Sequence, residues 1–481
     1  MIDRKHVPLG TTERRAIVMG GGLTGMFAAA ALRGTVHEIL VIENDELPDG
    51  PLPRKGLPQA GHVHLLWSGG VHAAEVLMPG ITDGWLAAGA RRIPIPTGMV
   101  ALSGQGWFRR WRKETHFLIA CSRDLLDSVV RTRVLADHGV KVLPRTRAVG
   151  LVGNAARVFG VRVRDAEGHE QVLEADFVVD ASGRGSRAPQ FLEELGVAGP
   201  EERTLDLGLV YASRLFRAPE GAETFPVVNV QADPRASRPG QGAAILPIEG
   251  NRWLVTAAGT RGGEPTDRSE DFVEFTRGLR HPLVGELIAH LEPLSGVTIS
   301  RSTRNRRRYF EKIRQWPERF VVVGDAVAAY NPIYGHGMAV AAQGAVALQS
   351  MAEDHGITSS GLARRVQRAI ARPVSGAWNL ALGQDVFYPG AEGATPNAAD
   401  RMAARYVDHL LRTSCGSFTM TKEFTDVSSL ERPSTHLLRP RALLAAALGP
   451  QHPPLAGPPL TRQEREVVSA DRARHARHTA K

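Results

Sequence analysis

The chain has 481 residues, 43% of them hydrophobic and 23% charged, an ordinary balance for a folded protein and too long for one simple core, so two or three packed sub-domains are expected. Its formal charge of +9 comes mostly from arginines scattered through globular segments without a basic–aromatic repeat, which argues against nucleic acid and suits an anionic cofactor or a carrier-bound acyl chain. Two cysteines, Cys121 and Cys415, build neither a disulfide framework nor a structural zinc site; residues 1–6 lack an apolar leader core and no run reaches bilayer-spanning length, so a cytoplasmic chain without a transmembrane segment is expected.

In chain order, the apolar run 16–19 predicts a strand, Gly20-Gly21-Gly22-Leu23-Thr24-Gly25 a tight turn, and the alanine-rich run 26–32 a helix. The aliphatic run 39–42 then predicts a buried parallel strand, completing a βαβ unit. A long loop is expected over 47–61, a helix from near His64 to Leu77, strands over 92–119, a helix over 123–135 and a buried strand at 177–179. Residues 205–309 read as strand-rich, with alternation at 253–256 and a helix over 271–279. A buried strand returns at 320–323, before a glycine-punctuated turn and a helix over 339–348. The chain then reads as helical to Gly449 and as a flexible, proline-rich and basic tail over 450–481. The nucleotide-binding domain is therefore discontinuous (1–90, 120–190 and 318–352). A β-rich substrate domain (91–119 and 191–317) interrupts it, and a helical region (353–449) follows.

The spacing Gly20-x-Gly22-x-x-Gly25 between strand and helix is the dinucleotide fingerprint. Its glycines allow the turn, the approach of a pyrophosphate and close helix–strand packing, while Glu43 stands where a carboxylate accepts from a ribose. This unit alone suits FAD or NAD. The distal Gly324-Asp325-Ala326 distinguishes them, since a carboxylate there can accept from ribityl hydroxyls that NAD lacks. Pro332-Ile333-Tyr334-Gly335-His336-Gly337-Met338 then offers helix N-terminal N–H groups to the negative edge of a reduced flavin.

These motifs, with Asp180-Ala181-Ser182-Gly183 between them, resemble the aromatic-hydroxylase and squalene-epoxidase superfamily of flavin monooxygenases. A narrower resemblance rests on Arg54-Lys55-Gly56-Leu57-Pro58-Gln59, His62-Val63-His64, Trp67-Ser68-Gly69-Gly70, Gly104-Gln105-Gly106-Trp107, Ala120-Cys121-Ser122-Arg123, Gly183-Arg184-Gly185-Ser186, Thr260-Arg261-Gly262-Gly263 and Asn331 through Met338. On these the chain is similar to the flavin-dependent olefin epoxidases of polyether ionophore antibiotic biosynthesis, the monensin and lasalocid type. It departs from them at Gly61 and Ser182, where relatives often carry arginine and threonine.

The resemblance implies an α/β (α+β) fold: a Rossmann-like FAD-binding domain interleaved with a mixed β-sheet substrate domain, plus a helical C-terminal part. It implies epoxidation of alkenes in a linear polyene polyketide, free or bound to an acyl carrier protein, through a flavin C4a-hydroperoxide. The electron source is NAD(P)H or a partner flavin reductase, and dioxygen is the oxidant. No catalytic acid or base is assigned, because the cofactor performs the hard step. The expected cofactor-binding set is Gly20, Gly22, Leu23, Thr24, Gly25, Glu43, Arg54, Lys55, Arg123, Asp325, Pro332, Gly335, His336, Gly337 and Met338. Arg54 and Arg123 serve in it as phosphate- or flavin-orienting cations.

Tyr211, Arg214 and Tyr330 are the candidate substrate-pocket residues. His62 and His64 stand without further ligands, so no metal is assigned. The arginine-rich run 304–308 reads as a solvated strand edge. Two alternatives stay open: an FAD-dependent hydroxylase or epoxidase of another hydrophobic natural product, and a non-catalytic FAD-binding protein. A flavin halogenase would need a tryptophan-flanked signature and a pocket lysine, which Gly106-Trp107-Phe108-Arg109-Arg110-Trp111 does not supply. The two distant cysteines do not make a disulfide reductase.

Overall fold

Unbroken aliphatic runs make strands that need cover on both faces, and this determines where the helices lie. The computed structural model describes residues 13–301 and 303–479, with side chains to residue 470, so the expectation for residues 1–6 lies outside the described residues. Chain order runs β1 (Arg15–Met19), α1 (Leu23–Leu32), β2 (Glu38–Ile42), α2 (Ser68–Leu77), β3 (Met99–Ser103), α3 (Arg123–Leu135), β4 (Val140–Leu143) and β5 (Phe177–Asp180). It continues through β6 (Val210–Arg217), β7 (Val227–Val230), β8 (Gln241–Ile248), β9 (Arg252–Gly259), β10 (Asn305–Arg308) and β11 (Phe320–Val322). Helices α4 (Gly337–His355), α5 (Leu362–Asp385), α6 (Ala398–Ser414), α7 (Phe418–Ser428), α8 (Pro440–Leu448) and α9 (Arg462–Thr479) follow, with shorter strands and helical turns between.

The first sheet is parallel, in the order β11-β5-β1-β2-β4. Its register sets Met19 beside both Asp180 and Ile42, and Asp180 beside Val322. The turns after β1, β5 and β11 therefore leave the same edge. Ile17, Val41, Val178 and Val321 form one core with Phe27 of α1, Leu348 of α4 and Val366 of α5.

The second sheet has seven strands in the order Thr298–Ser300, β6, β9, β8, β7, β3 and Gly106–Trp107. Its pairs are antiparallel except for β7 with β3. Period-two alternation along β9 sends Trp253, Val255 and Ala257 to an outer core with Phe216 and Phe272. Leu254 turns the other way, toward Leu65, Leu118 and Leu246. The fold is thus mixed α/β with a helical C-terminal part. No helix among the described residues is long and apolar enough to cross a membrane.

Two expectations change. Of the arginine-rich run, β10 is the central strand of a three-stranded sheet rather than an edge. Arg307 and Arg308 are accordingly buried. Arg307 donates to Glu311 at 2.7 Å and Ser375 at 2.8 Å, and Arg308 donates to Glu202 and to the Ser186 carbonyl at 3.0 Å.

The segment read as a loose tail is also held. Arg109 donates to the Pro453 carbonyl at 2.7 Å, and Arg110 pairs with Glu464 at 2.6 Å. Leu455, Leu460, Val467 and Val468 pack against the outer core of the seven-stranded sheet. Proline richness and basic charge suggest a flexible tail, but the spaced apolar residues pack on the outer core of the sheet. Truncation after Gly449 is expected to destabilise the protein by about 3 kcal/mol through that lost burial. Thermal denaturation checks this, and an unchanged melting temperature would show the segment to be dispensable.

Candidate functional site

The site is built where β1, β5 and β11 end. Gly25 lies so close beneath the first turn that a Cβ on it would sit 1.8 Å from the Gly20 carbonyl oxygen. Gly324, at φ +61°, approaches the start of α1 so that a Cβ would reach 2.5 Å from Thr24 Cγ2. The first and third stretches of the chain are thereby clasped together. Gly22 is different, because a Cβ there would meet nothing within 4 Å. It caps α1 with no side-chain hydrogen bond, and the first turn holds no acid. The first N–H groups of a helix have no intrahelical partners, so this open end is suited to an anion.

Glu43 closes β2 and is buried. Its Oε2 accepts from the Gly21 N–H at 2.7 Å, and its Oε1 accepts from the Asp45 N–H at 2.8 Å. Arg54 lies against the same carboxylate at 2.8 Å and donates to the Gly21 carbonyl at 3.2 Å. It therefore sits at the Glu43 end of the site, balancing that carboxylate. Lys55 beside it is solvent-exposed. Arg123 donates to Asp127 at 2.7 Å. Asp325 stands at the floor of the edge with Arg184 at 3.7 Å and 39% of its side-chain surface accessible. Burial raises its pKa, while the charges of Arg184, Arg123 and Arg306 pull it back.

Beyond Asp325, Pro332 is exposed and Met338 buried. Helix α4, like α1, begins with neither a side-chain cap nor an acid in its first turn. His336 is the residue that precedes α4. Its ring is buried, and Nε2–H donates at 2.9 Å to the Ser428 carbonyl at the end of α7, away from the sheet edge. The loop touches the strand Leu66–Trp67 and the residue before it, where a Cβ on Gly335 would come within 3.2 Å of Leu65 Cβ and Trp67 Nε1, and Leu65 packs in one cluster with Leu246 and Leu254 of the seven-stranded sheet.

The three pocket candidates separate. Tyr211 is buried, and its hydroxyl donates to Asn331 Oδ1 at 3.1 Å, directly behind the loop. Arg214 lies on the opposite face of β6, since residues an odd number apart alternate sides. There it donates to the carbonyls of Ser295 at 2.9 Å and Ser269 at 3.0 Å. Tyr330 turns into the helical layer and donates to the Val374 carbonyl at 3.3 Å.

Of the two loop histidines, His62 faces the inner side of the sheet, and His64 Nδ1 bonds the His62 carbonyl at 2.9 Å. His62 Nδ1 meets Ser213 Oγ at 2.7 Å, and Ser213 Oγ meets Thr256 Oγ1 at 2.6 Å. Burial lowers the pKa of His62 to about 4, that of His64 to about 3 with help from Arg123, and that of His336 to about 4.

Residues quoted in the motifs but given no site role also shape the edge. Asp180 accepts from Ser182 N–H at 2.9 Å and from Ser186 Oγ at 2.7 Å, which fixes the turn after β5. Arg184, already quoted in the Gly183–Ser186 motif, donates to the Tyr330 carbonyl at 2.7 Å.

A separate cluster lies in the C-terminal layer. There His116, Asp426 and Glu431, and again Glu423, Asp426 and His436, hold ligand atoms close enough to share an ion. Sequence spacing gave no sign of these sets. Lys422 at 2.8 Å from Asp426 and Arg441 at 3.1 Å from Glu423 supply positive charge there already.

A dinucleotide fits the edge: an open helix start for phosphates, a buried carboxylate for a ribose, and an accessible carboxylate followed by a second open helix start. A profile of the FAD binding domain family matches residues 13–352. Protein Rv3254 of Mycobacterium tuberculosis is 29% identical over 393 residues, covering 79% of this chain and 82% of that protein. Among solved structures, p-nitrophenol 4-monooxygenase PnpA of Pseudomonas putida superposes with a TM-score of 0.60 at 14% identity, covering 87% of this chain and 98% of that one. The flavin-dependent brominase Bmp2 superposes with a TM-score of 0.58 at 14% identity, covering 90% of this chain and 97% of that one. Both structural likenesses concern the fold.

Gly22→Ala is expected to leave the melting temperature unchanged and to weaken FAD binding at least tenfold, a loss of about 1.4 kcal/mol, as read by fluorescence titration. Gly25→Ala, with no room for its methyl, is expected to fail to fold. Equal FAD affinity in Gly22→Ala and wild type would remove Gly22 from the binding edge.

Proposed function

Because the chain belongs to the FAD binding domain family, we propose that it is an FAD-dependent monooxygenase that epoxidises alkenes of a linear polyene polyketide. One observation supports an oily substrate above others: Gly335 of the flavin-side loop rests on Leu65 and Trp67. Those residues continue into an apolar cluster of Val63, Ile93, Leu118, Leu215, Leu246 and Leu254. An alkene placed there meets hydrocarbon on the sheet side and the cofactor on the other.

When bound, reduced FAD activates dioxygen and supplies an electrophilic oxygen. The chain's own residues hold and shelter it. The α1 N-terminus would receive the pyrophosphate, with Glu43 on the adenosine ribose and Asp325 on the ribityl chain. The α4 N-terminus would receive the negative edge of the reduced ring. The cluster around Leu65 and Leu254 keeps water away, which limits wasteful release of hydrogen peroxide. Burial keeps the rings of His62, His64 and His336 neutral. That suits attack on an alkene, which requires no proton to be abstracted. NAD(P)H or a partner flavin reductase supplies the electrons, and the substrate arrives free or on an acyl carrier protein.

The test incubates the purified protein with FAD, each electron source in turn, oxygen-18 gas and a simple linear polyene. Mass spectrometry should find one labelled oxygen per reacted alkene. Bound yellow cofactor without oxygen consumption under any donor would instead mark a non-catalytic flavoprotein, and a product formed only with added bromide would mark a halogenase. In the same assay Leu254→Gln, which wets the cluster, is expected to raise the fraction of electrons lost as hydrogen peroxide roughly severalfold.

A further inference from the structure

Asp385, the last residue of α5, is fully buried. Its Oδ2 accepts from Asn305 Nδ2 at 2.7 Å and Asn331 Nδ2 at 3.1 Å, and its Oδ1 accepts from the Tyr334 hydroxyl at 2.6 Å. Among the described residues it forms no ion pair. A carboxylate at a helix C-terminus also opposes the helix dipole. Such a charge is expensive to keep buried without a cation, and burial lifts its pKa to about 6. Stability alone does not account for a residue so placed.

The network gives it a direction. Asn305 uses its amide N–H on Asp385 and its carbonyl on the Asn331 N–H. Asn331 likewise spends its amide on Asp385, leaving its carbonyl for the Ile333 N–H at 3.2 Å and the Tyr211 hydroxyl at 3.1 Å. Every donor points inward to the carboxylate, and every freed acceptor holds the segment that enters Pro332–Met338. An ionised carboxylate only accepts, so it takes both amides on one oxygen and the Tyr334 hydroxyl on the other at once.

We propose that Asp385 is a positioning residue for the flavin: as a carboxylate it fixes Asn331 and Tyr334, and through them the loop that faces the reduced ring. This rests on the reading that the loop faces FAD. In Asp385→Asn the new NH2 group must either face the two amide donors or turn to Tyr334 and reverse that hydroxyl's bond, freeing it from its present orientation.

Expected at neutral pH are FAD affinity about tenfold weaker, the loss of one hydrogen bond to a charged group, and shifted visible absorption bands of the bound flavin. The melting temperature of the FAD-free protein should be equal or higher, because a buried charge has gone. Tyr334→Phe alone should weaken FAD about threefold, and should add nothing in the Asp385→Asn background. Unchanged affinity and spectrum in both single variants would overturn the proposal. So would a parallel fall in FAD-free stability with additive losses, which marks a merely structural role. If Asp385→Asn does not fold, Tyr334→Phe decides by its affinity and spectrum. A wild-type protein that takes up no FAD overturns the underlying cofactor reading instead, a result distinct from equal binding by wild type and variants.

Discussion

Two helices start at one edge of one parallel sheet with their N–H groups uncapped, and the rest of the molecule is arranged around that deficiency. Each open terminus carries roughly half a positive charge. Neither α1 nor α4 answers it with an acid in the first turn. The nearby arginines, Arg54, Arg123 and Arg184, each lie against a carboxylate, so the field left over belongs largely to the backbone. An anionic, elongated ligand is what such an edge can accept. Buried Arg308 reinforces the geometry, because it binds the carbonyl of Ser186 after β5 and that of Ala326 after β11.

The parts of this edge that glycines enforce were legible in the sequence. Gly20, Gly22 and Gly25, and later Gly324, stand where a backbone or a neighbour leaves no room, or where a ligand needs it, and such demands are written at fixed local spacing. The parallel strands were legible for a similar reason, since unbroken runs such as 39–42 and 320–323 have one stable use. Side-chain direction was not. Arg214 reads like a pocket residue until the register reveals which face of β6 is inward. His336 sits between Gly335 and Gly337, yet its ring answers to Ser428, in a helix far along the chain.

Asp385 is the clearest case of a residue hidden from sequence reading. It ends a long helix with no motif around it, and its partners Asn305 and Asn331 lie 80 and 54 residues away. Only tertiary structure joins an aspartate, two asparagines and two tyrosines into one acceptor-centred set. The covered segment 450–470 was misread for a related reason, because composition reports what a segment could do alone and not which exposed core awaits it.

The position of β11 has a consequence for how the protein is made. Among the described residues its neighbour in the parallel sheet is β5, synthesised long before it, and five strands of the seven-stranded sheet, β6 to β9 and Thr298–Ser300, lie between them in the chain. On the ribosome, the early βαβ unit must wait with one side of its ligand cradle missing until that insertion has emerged and the final strand can dock. Pairings so remote in sequence form slowly. Capture of the nucleotide is therefore a late event in biogenesis, and a nascent chain stalled before residue 320 carries the fingerprint without the means to use it.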